Sequence, residues 1–181
     1  RGAVDHLDSG VRQRVGSGIL RLEEARLKQV LLSWIGFERT RTLGFEVEQQ
    51  EYKIAWQHNG LELNVTADRI DRLESGDKLI IDYKSSPTPS SYPWVNPVLR
   101  LQQRPAYAIA TKRVGAIGIA APKRAEPELL IAGAAVGISA VDSKAQKAME
   151  KAGFENTAAL LEHWDSLLTK LVDDYLDGSL S

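Results

Sequence analysis

Cysteine is absent from all 181 residues, which excludes a disulfide framework, a thiolate zinc site and a cysteine-ligated iron–sulfur cluster. Any metal must then be held by oxygen or histidine ligands. Long apolar runs are also lacking: none approaches the roughly 20 residues needed to cross a bilayer. The N-terminus has no basic, apolar, small-residue order of a secretion signal. The expectation is a cytoplasmic protein with no membrane contact. Charge of one sign is missing too, since 23 Lys and Arg against 24 Asp and Glu leave a formal charge of −1. Binding to a polyanion would therefore need a local basic surface rather than an overall field. The chain opens on Arg1-Gly2 without an initiator methionine, and it reads as a piece of a longer protein.

What remains suits a globular domain. An apolar fraction of 43% and this length support one core of ordinary size, so residues 1–181 are expected to form a single domain. Leu20, Leu22, Leu27, Val30, Leu31 and Trp34 mark a helix with charged neighbours. Gly44 to Ala55 alternates like a strand, His58-Asn59-Gly60 reads as a reversing turn, and a second strand starts at Leu61. Ser85 to Pro97 is dense in proline and serine and is expected to be a loop, with Tyr92 and Trp94 anchoring it rather than stacking on bases. Leu99 to Lys112 is helical in pattern, with Pro105 either opening or kinking the regular helix. Ala116 to Ala120 reads as a buried strand and Ala145 to Ala152 as a short helix. A long helix follows from Thr157 through Leu176, with Asn156 as its cap.

Chemistry concentrates in Ala67-Asp68-Arg69-Ile70-Asp71-Arg72 and Leu79-Ile80-Ile81-Asp82-Tyr83-Lys84. Acids and a lysine inside strand-like apolar stretches are costly to bury without a partner or a metal. Between them, Glu74-Ser75-Gly76 is the strong reversal signal, and a three-residue loop with a left-handed Gly76 makes a common hairpin. If Leu73 faces Asp77, counting back sets Asp68 opposite Asp82, with side chains roughly 5 Å apart. A slip of one residue would destroy that pairing. Asp82 and Lys84 share a face while Tyr83 points to the other. Asp68, Asp82 and the backbone carbonyl of Tyr83 make a hard-oxygen set suited to Mg²⁺ or Mn²⁺, and Lys84 would position a water or stabilise charge on phosphate oxygens. Asp71 has the opposite strand parity to Asp68 and is expected to pair with Arg69 or Arg72.

The ordered segments Thr66 to Arg72, Ile80 to Ser85 and Gln103-Arg104-Pro105-Ala106-Tyr107 resemble the successive motifs of the PD-(D/E)XK nuclease superfamily, most nearly its RecB-like and AddB-like exonuclease branch. The resemblance covers roughly residues 45 to 110. It implies a restriction-endonuclease-like α/β core: a mixed central sheet flanked by helices, with an N-terminal helix packed against it. It also implies metal-dependent exonuclease action on DNA in repair or recombination, alongside a helicase or helicase-like domain. By the same resemblance Asp68 and Asp82 are metal-binding acids, Lys84 is the catalytic lysine, and Gln103 orders the site with Tyr107 one turn on. Gln102 is the alternative if the helix is rotated.

Three departures accompany the likeness. Related domains often have glycine near Thr66. Many also supply an upstream glutamate or histidine, for which Glu23, Glu24 and Glu51 are candidates without a convincing motif. The iron–sulfur cluster of the AddB-like branch cannot be built without cysteine. Basic residues Arg100, Arg104, Lys112 and Arg113, with Lys123 and Arg124 beyond them, are candidate DNA contacts. The rival readings are a non-catalytic DNA-binding or scaffold module on the same fold, and an RNA-processing nuclease.

Overall fold

The computed structural model describes residues 17–41, 44–84, 103–132, 147 and 149–179. They fall into two compact units, Arg1–Arg41 with Pro122–Glu128 and Thr42–Ala121 with Leu129–Ser181. The proline- and serine-rich stretch 85–97, with Tyr92 and Trp94, lies outside the described residues. No helix among the described residues is long and apolar enough to cross a membrane.

The first unit carries helix α1, Ser17–Glu38. Its Trp34 stacks on Phe37 with ring centroids 5.3 Å apart, and Glu23 pairs with Arg26 at 2.6 Å. The helix matches the expectation, but its apolar stripe is not uniformly covered. Trp34 is buried, whereas Leu22 and Leu31 are exposed.

The second unit is built on a five-stranded sheet in the order β1-β2-β3-β4-β5: β1 Phe45–His58, β2 Leu61–Leu73, β3 Lys78–Tyr83, β4 Val114–Ala121 and β5 Glu128–Ala132. Strands β1, β2 and β3 are antiparallel neighbours, and β4 runs parallel to β3. A parallel partner needs a crossover rather than a hairpin. Helix α2, Gln103–Ala110, lies in that crossover, so the sheet is mixed. Both hairpins have physical causes in the sequence. Asn59 and Gly60 have φ of 46° and 81°, the left-handed pair a two-residue primed turn requires. In the second, Leu73 N–H donates to the Asp77 carbonyl at 2.9 Å and Gly76 N–H to the Leu73 carbonyl at 2.8 Å, with Gly76 at φ 80°.

One core joins Ile70, Ile80, Ile117 and Ile119 of the sheet to Ala106 and Tyr107 of α2 and to helix α3, Thr157–Leu176. Leu160, Trp164, Leu168 and Val172 recur every fourth residue and form the buried stripe of α3, the spacing of one helix face. Asn156 caps α3 by accepting from the Ala159 N–H at 2.9 Å. Side chains then fasten it to the sheet. Thr157 Oγ1 donates to the Gly115 carbonyl at 2.7 Å and Trp56 Nε1 to Asp165 at 3.2 Å. His58 and Asn59 both reach Asp173, at 2.8 and 2.6 Å. The His58 hydrogen bond is the main reason the Asp173 carboxyl is held below its ordinary range.

On the other sheet face, Leu79 and Ile81 are fully buried. A Cβ on Gly118 would stand 3.2 Å from Leu129 Cδ1 and 3.5 Å from Leu79 Cδ1, so β5 approaches closely where only hydrogen is present. Strand β5 is absent from the elements read in the sequence, although Leu129-Leu130-Ile131 carries an apolar signal. Helix α2 covers Gln103–Ala110 of the stretch read as helical from Leu99 to Lys112, and residues 99–102 lie outside the described ones. Pro105 falls in its first turn, where an absent N–H costs nothing.

Asp71, fully buried, receives Arg69 Nε at 2.6 Å and Nη2 at 3.0 Å. Removing one member of a buried pair strands the other charge. Asp71→Ala is therefore expected to lower unfolding free energy by about 3–5 kcal/mol, measured by urea titration; an unchanged midpoint would contradict this role.

Candidate metal centre

The β2–β3 register runs to Arg69↔Ile81, and continued by one step it would set Asp68 opposite Asp82. This is the pairing that the Leu73–Asp77 count requires. Asp68 Oδ2 accepts the backbone N–H of Tyr83 at 2.7 Å, so its carboxylate leans across to the end of β3. Lys84 Nζ lies 3.1 Å from Asp82 Oδ2, with side chains 39% and 13% exposed respectively. Asp82 thus sits well inside the surface beside its β4 register partner Ile119, and the lysine offsets part of the cost of placing a carboxylate there. Lys84 is itself held through its N–H, which donates to the Ala120 carbonyl at 2.8 Å.

Strand alternation distributes these groups as expected. Asp68 and Ile70 share one face, as do Ile80, Asp82 and Lys84. Ile70 and Ile80 belong to the cluster that contains Tyr107, so the acids occupy the end of the sheet face that α2 covers. Tyr83 points the other way, and its hydroxyl accepts from Arg69 Nη1 at 3.0 Å.

Of the remaining candidates, some stand away from the acids and others lie outside the described residues. Tyr107 is buried in the core rather than open to solvent. The backbone of Gln103 opens α2, but its side chain and that of Arg104 lie outside the described ones, as do Gln102 and Arg100. Glu51 stands across from Asp68, between the pairs Gln50↔Arg69 and Tyr52↔Ala67, with φ 48° and an exposed side chain. Glu23 and Glu24 belong to α1, in the first unit, and the Arg26 hydrogen bond keeps the Glu23 carboxyl below its usual range. Among the described residues no three His, Cys, Asp or Glu side chains gather to hold a metal. Arg113 accepts the Lys78 N–H on its carbonyl and lies 3.7 Å from Asp77, at the start of β3. At about 3.3 Å per residue that is roughly 13 Å of strand from Asp82, so neither Arg113 nor its neighbour Lys112 is brought to the acids.

The donor chemistry fits a hard divalent cation. Two carboxylates and a carbonyl are oxygen ligands, and Mg²⁺ keeps several waters when bound through one or two carboxylates. Sequence reasoning offered Arg69 as one partner for Asp71 but missed its contact with Tyr83. The available signal was parity, since Arg69 and Asp71 are two apart and share the face to which Tyr83 points.

Comparison with curated proteins gives no match. The family model described as the PD-(D/E)XK nuclease superfamily matches residues 3–181. With nearly the whole chain matched, and with paired strand-end acids and an adjacent lysine on a mixed sheet, the protein belongs to the PD-(D/E)XK nuclease superfamily.

Proposed function

We propose that this chain is a divalent-metal-dependent deoxyribonuclease, an exonuclease of the RecB-like and AddB-like kind. In this reading it acts in the cytoplasm in DNA repair or recombination, beside a helicase or helicase-like domain. The observation that carries the nuclease reading is the meeting of Asp68, Asp82 and Lys84 at one sheet end, with Asp68 tied to the Tyr83 amide at 2.7 Å and Lys84 to Asp82 at 3.1 Å.

In this reading Asp68, Asp82 and the Tyr83 carbonyl hold Mg²⁺ or Mn²⁺. Bound there, such a cation would supply polarisation of a phosphodiester oxygen and a more acidic water. The Tyr83 N–H fixes one oxygen of Asp68 and so orients the carboxylate. Lys84, partly exposed beside Asp82, is placed to hydrogen-bond the attacking water or to neutralise charge developing on phosphate oxygens. Gln103, on the helix packed over this face, orders the site. Arg100 and Arg104, with Lys112 and Arg113 beyond the helix, are the DNA contacts in this reading.

One observation favours a second reading, a non-catalytic DNA-binding module: no third acid joins Asp68 and Asp82 among the described residues. Such a module would bind DNA with salt-sensitive affinity and cut nothing, even in Mn²⁺. Parallel assays on single-stranded DNA, duplex DNA and RNA separate these readings and test the RNA-processing alternative.

Two substitutions examine the chemistry. Lys84→Ala is expected to reduce Mg²⁺-dependent cleavage of labelled DNA by about 10²–10⁴-fold, with stability changed by under about 1 kcal/mol; unaltered turnover removes Lys84 from the reaction. Asp82→Asn is expected to weaken Mn²⁺ binding in a calorimetric titration, and an isotherm identical to that of the unaltered protein would take Asp82 out of the ligand set.

A further inference from the structure

Among the described residues, the chemistry above leaves one buried cation unused. Arg69 is 8% exposed and sits on the sheet face opposite the acids. Two of its nitrogens grip Asp71, the third donates to the Tyr83 hydroxyl at 3.0 Å, and its Cζ stands 5.3 Å from the centroid of the Phe45 ring. Neutralising Asp71 accounts for the first two contacts only. The third arm reaches diagonally across the hairpin, because Arg69 faces Ile81 and Tyr83 lies two positions beyond.

We propose that Arg69 is a positioning residue for the metal centre, holding Tyr83 by its phenol from the far side of the sheet. What is positioned rests on the nuclease reading; the brace itself does not. Strand β3 ends at Tyr83, and each group that β3 contributes lies within one residue of it: the Asp82 carboxylate, the Tyr83 carbonyl and the Lys84 ammonium. Strand ends open locally more readily than strand centres. The Arg69 plane is over-determined by a two-pronged carboxylate contact and an aromatic face, the geometry in which a guanidinium is least free to turn. A fixed guanidinium fixes the phenol, and a fixed phenol limits rotation of the Tyr83 backbone. That backbone presents its N–H to Asp68 and, in the nuclease reading, would offer its carbonyl to the cation. The consequence is a site supported through the sheet, with the two carboxylates correlated by one residue.

Replacing Arg69 would leave Asp71 buried and unpaired, so the informative variant is Tyr83→Phe, which deletes one oxygen and preserves the ring, the backbone and the Arg69–Asp71 pair. Three quantities are measured on the full chain: Mn²⁺ affinity by calorimetry, metal-free hydrogen exchange at the Tyr83 and Lys84 amides relative to Ile80, and the thermal midpoint. The proposal expects Mn²⁺ affinity to fall by about 10-fold. The two strand-end amides should exchange about 10-fold faster while Ile80 does not change, and the midpoint should move by less than about 2 °C. Unchanged affinity together with unchanged local exchange overturns the proposal, whatever the midpoint does. If the unaltered protein binds no Mn²⁺, the nuclease reading fails and exchange alone decides the brace: acceleration in Tyr83→Phe upholds it, equality overturns it.

Discussion

The two hydrogen bonds that close the 74–76 loop, from Leu73 to Asp77 and from Gly76 to Leu73, determine every pairing between β2 and β3. Strand geometry has a period of two, so a shift of one residue would exchange the faces of all the side chains. Ile70 and Ile80 would leave the core, Arg69 and Asp71 would lose their buried environment, and Asp68 would no longer stand across from Asp82. Two opposed penalties therefore guard one register. One is exposure of isoleucine; the other is burial of unpaired charge.

The sheet uses its faces for different electrostatic tasks. On one, Arg69 and Asp71 form a closed pair whose charges cancel within the protein. On the other, Asp68 and Asp82 stand at the strand end, with Lys84 Nζ 3.1 Å from Asp82. The Tyr83 residue connects the two, since its amide serves Asp68 and its hydroxyl serves Arg69. Helix α3 supports the arrangement from a distance. Its contacts with Trp56, His58, Asn59 and Gly115 hold the other hairpin and β4, and β4 in turn fixes Lys84 through Ala120.

Much of this was legible in the residues because it depends on local rules. Gly76 and Asn59-Gly60 announce their turns by conformational preference, parity separates Asp82 and Lys84 from Tyr83, and the spacing Leu160, Trp164, Leu168 declares α3. What was not legible depends on contacts remote in the chain. Strand β5 is defined by its place beside β4 and by the hydrogen at Gly118, neither of which leaves a local pattern. The left-handed conformation of Glu51 at its place across from Asp68 likewise leaves no local pattern. Arg113 lies at the start of β3, where it meets Asp77, and only the parallel registration of β3 and β4 reveals its separation from the acids.

The central claim is that Asp68 and Asp82 converge on one hard cation at the end of the β2–β3 hairpin. A crystal structure of the protein soaked in Mn²⁺, read from the anomalous signal of the metal, tests it most directly. The account predicts one peak within about 2.0–2.6 Å of an oxygen from each carboxylate and of the Tyr83 carbonyl. Carboxylates turned apart with no metal between them, at saturating Mn²⁺, would contradict it.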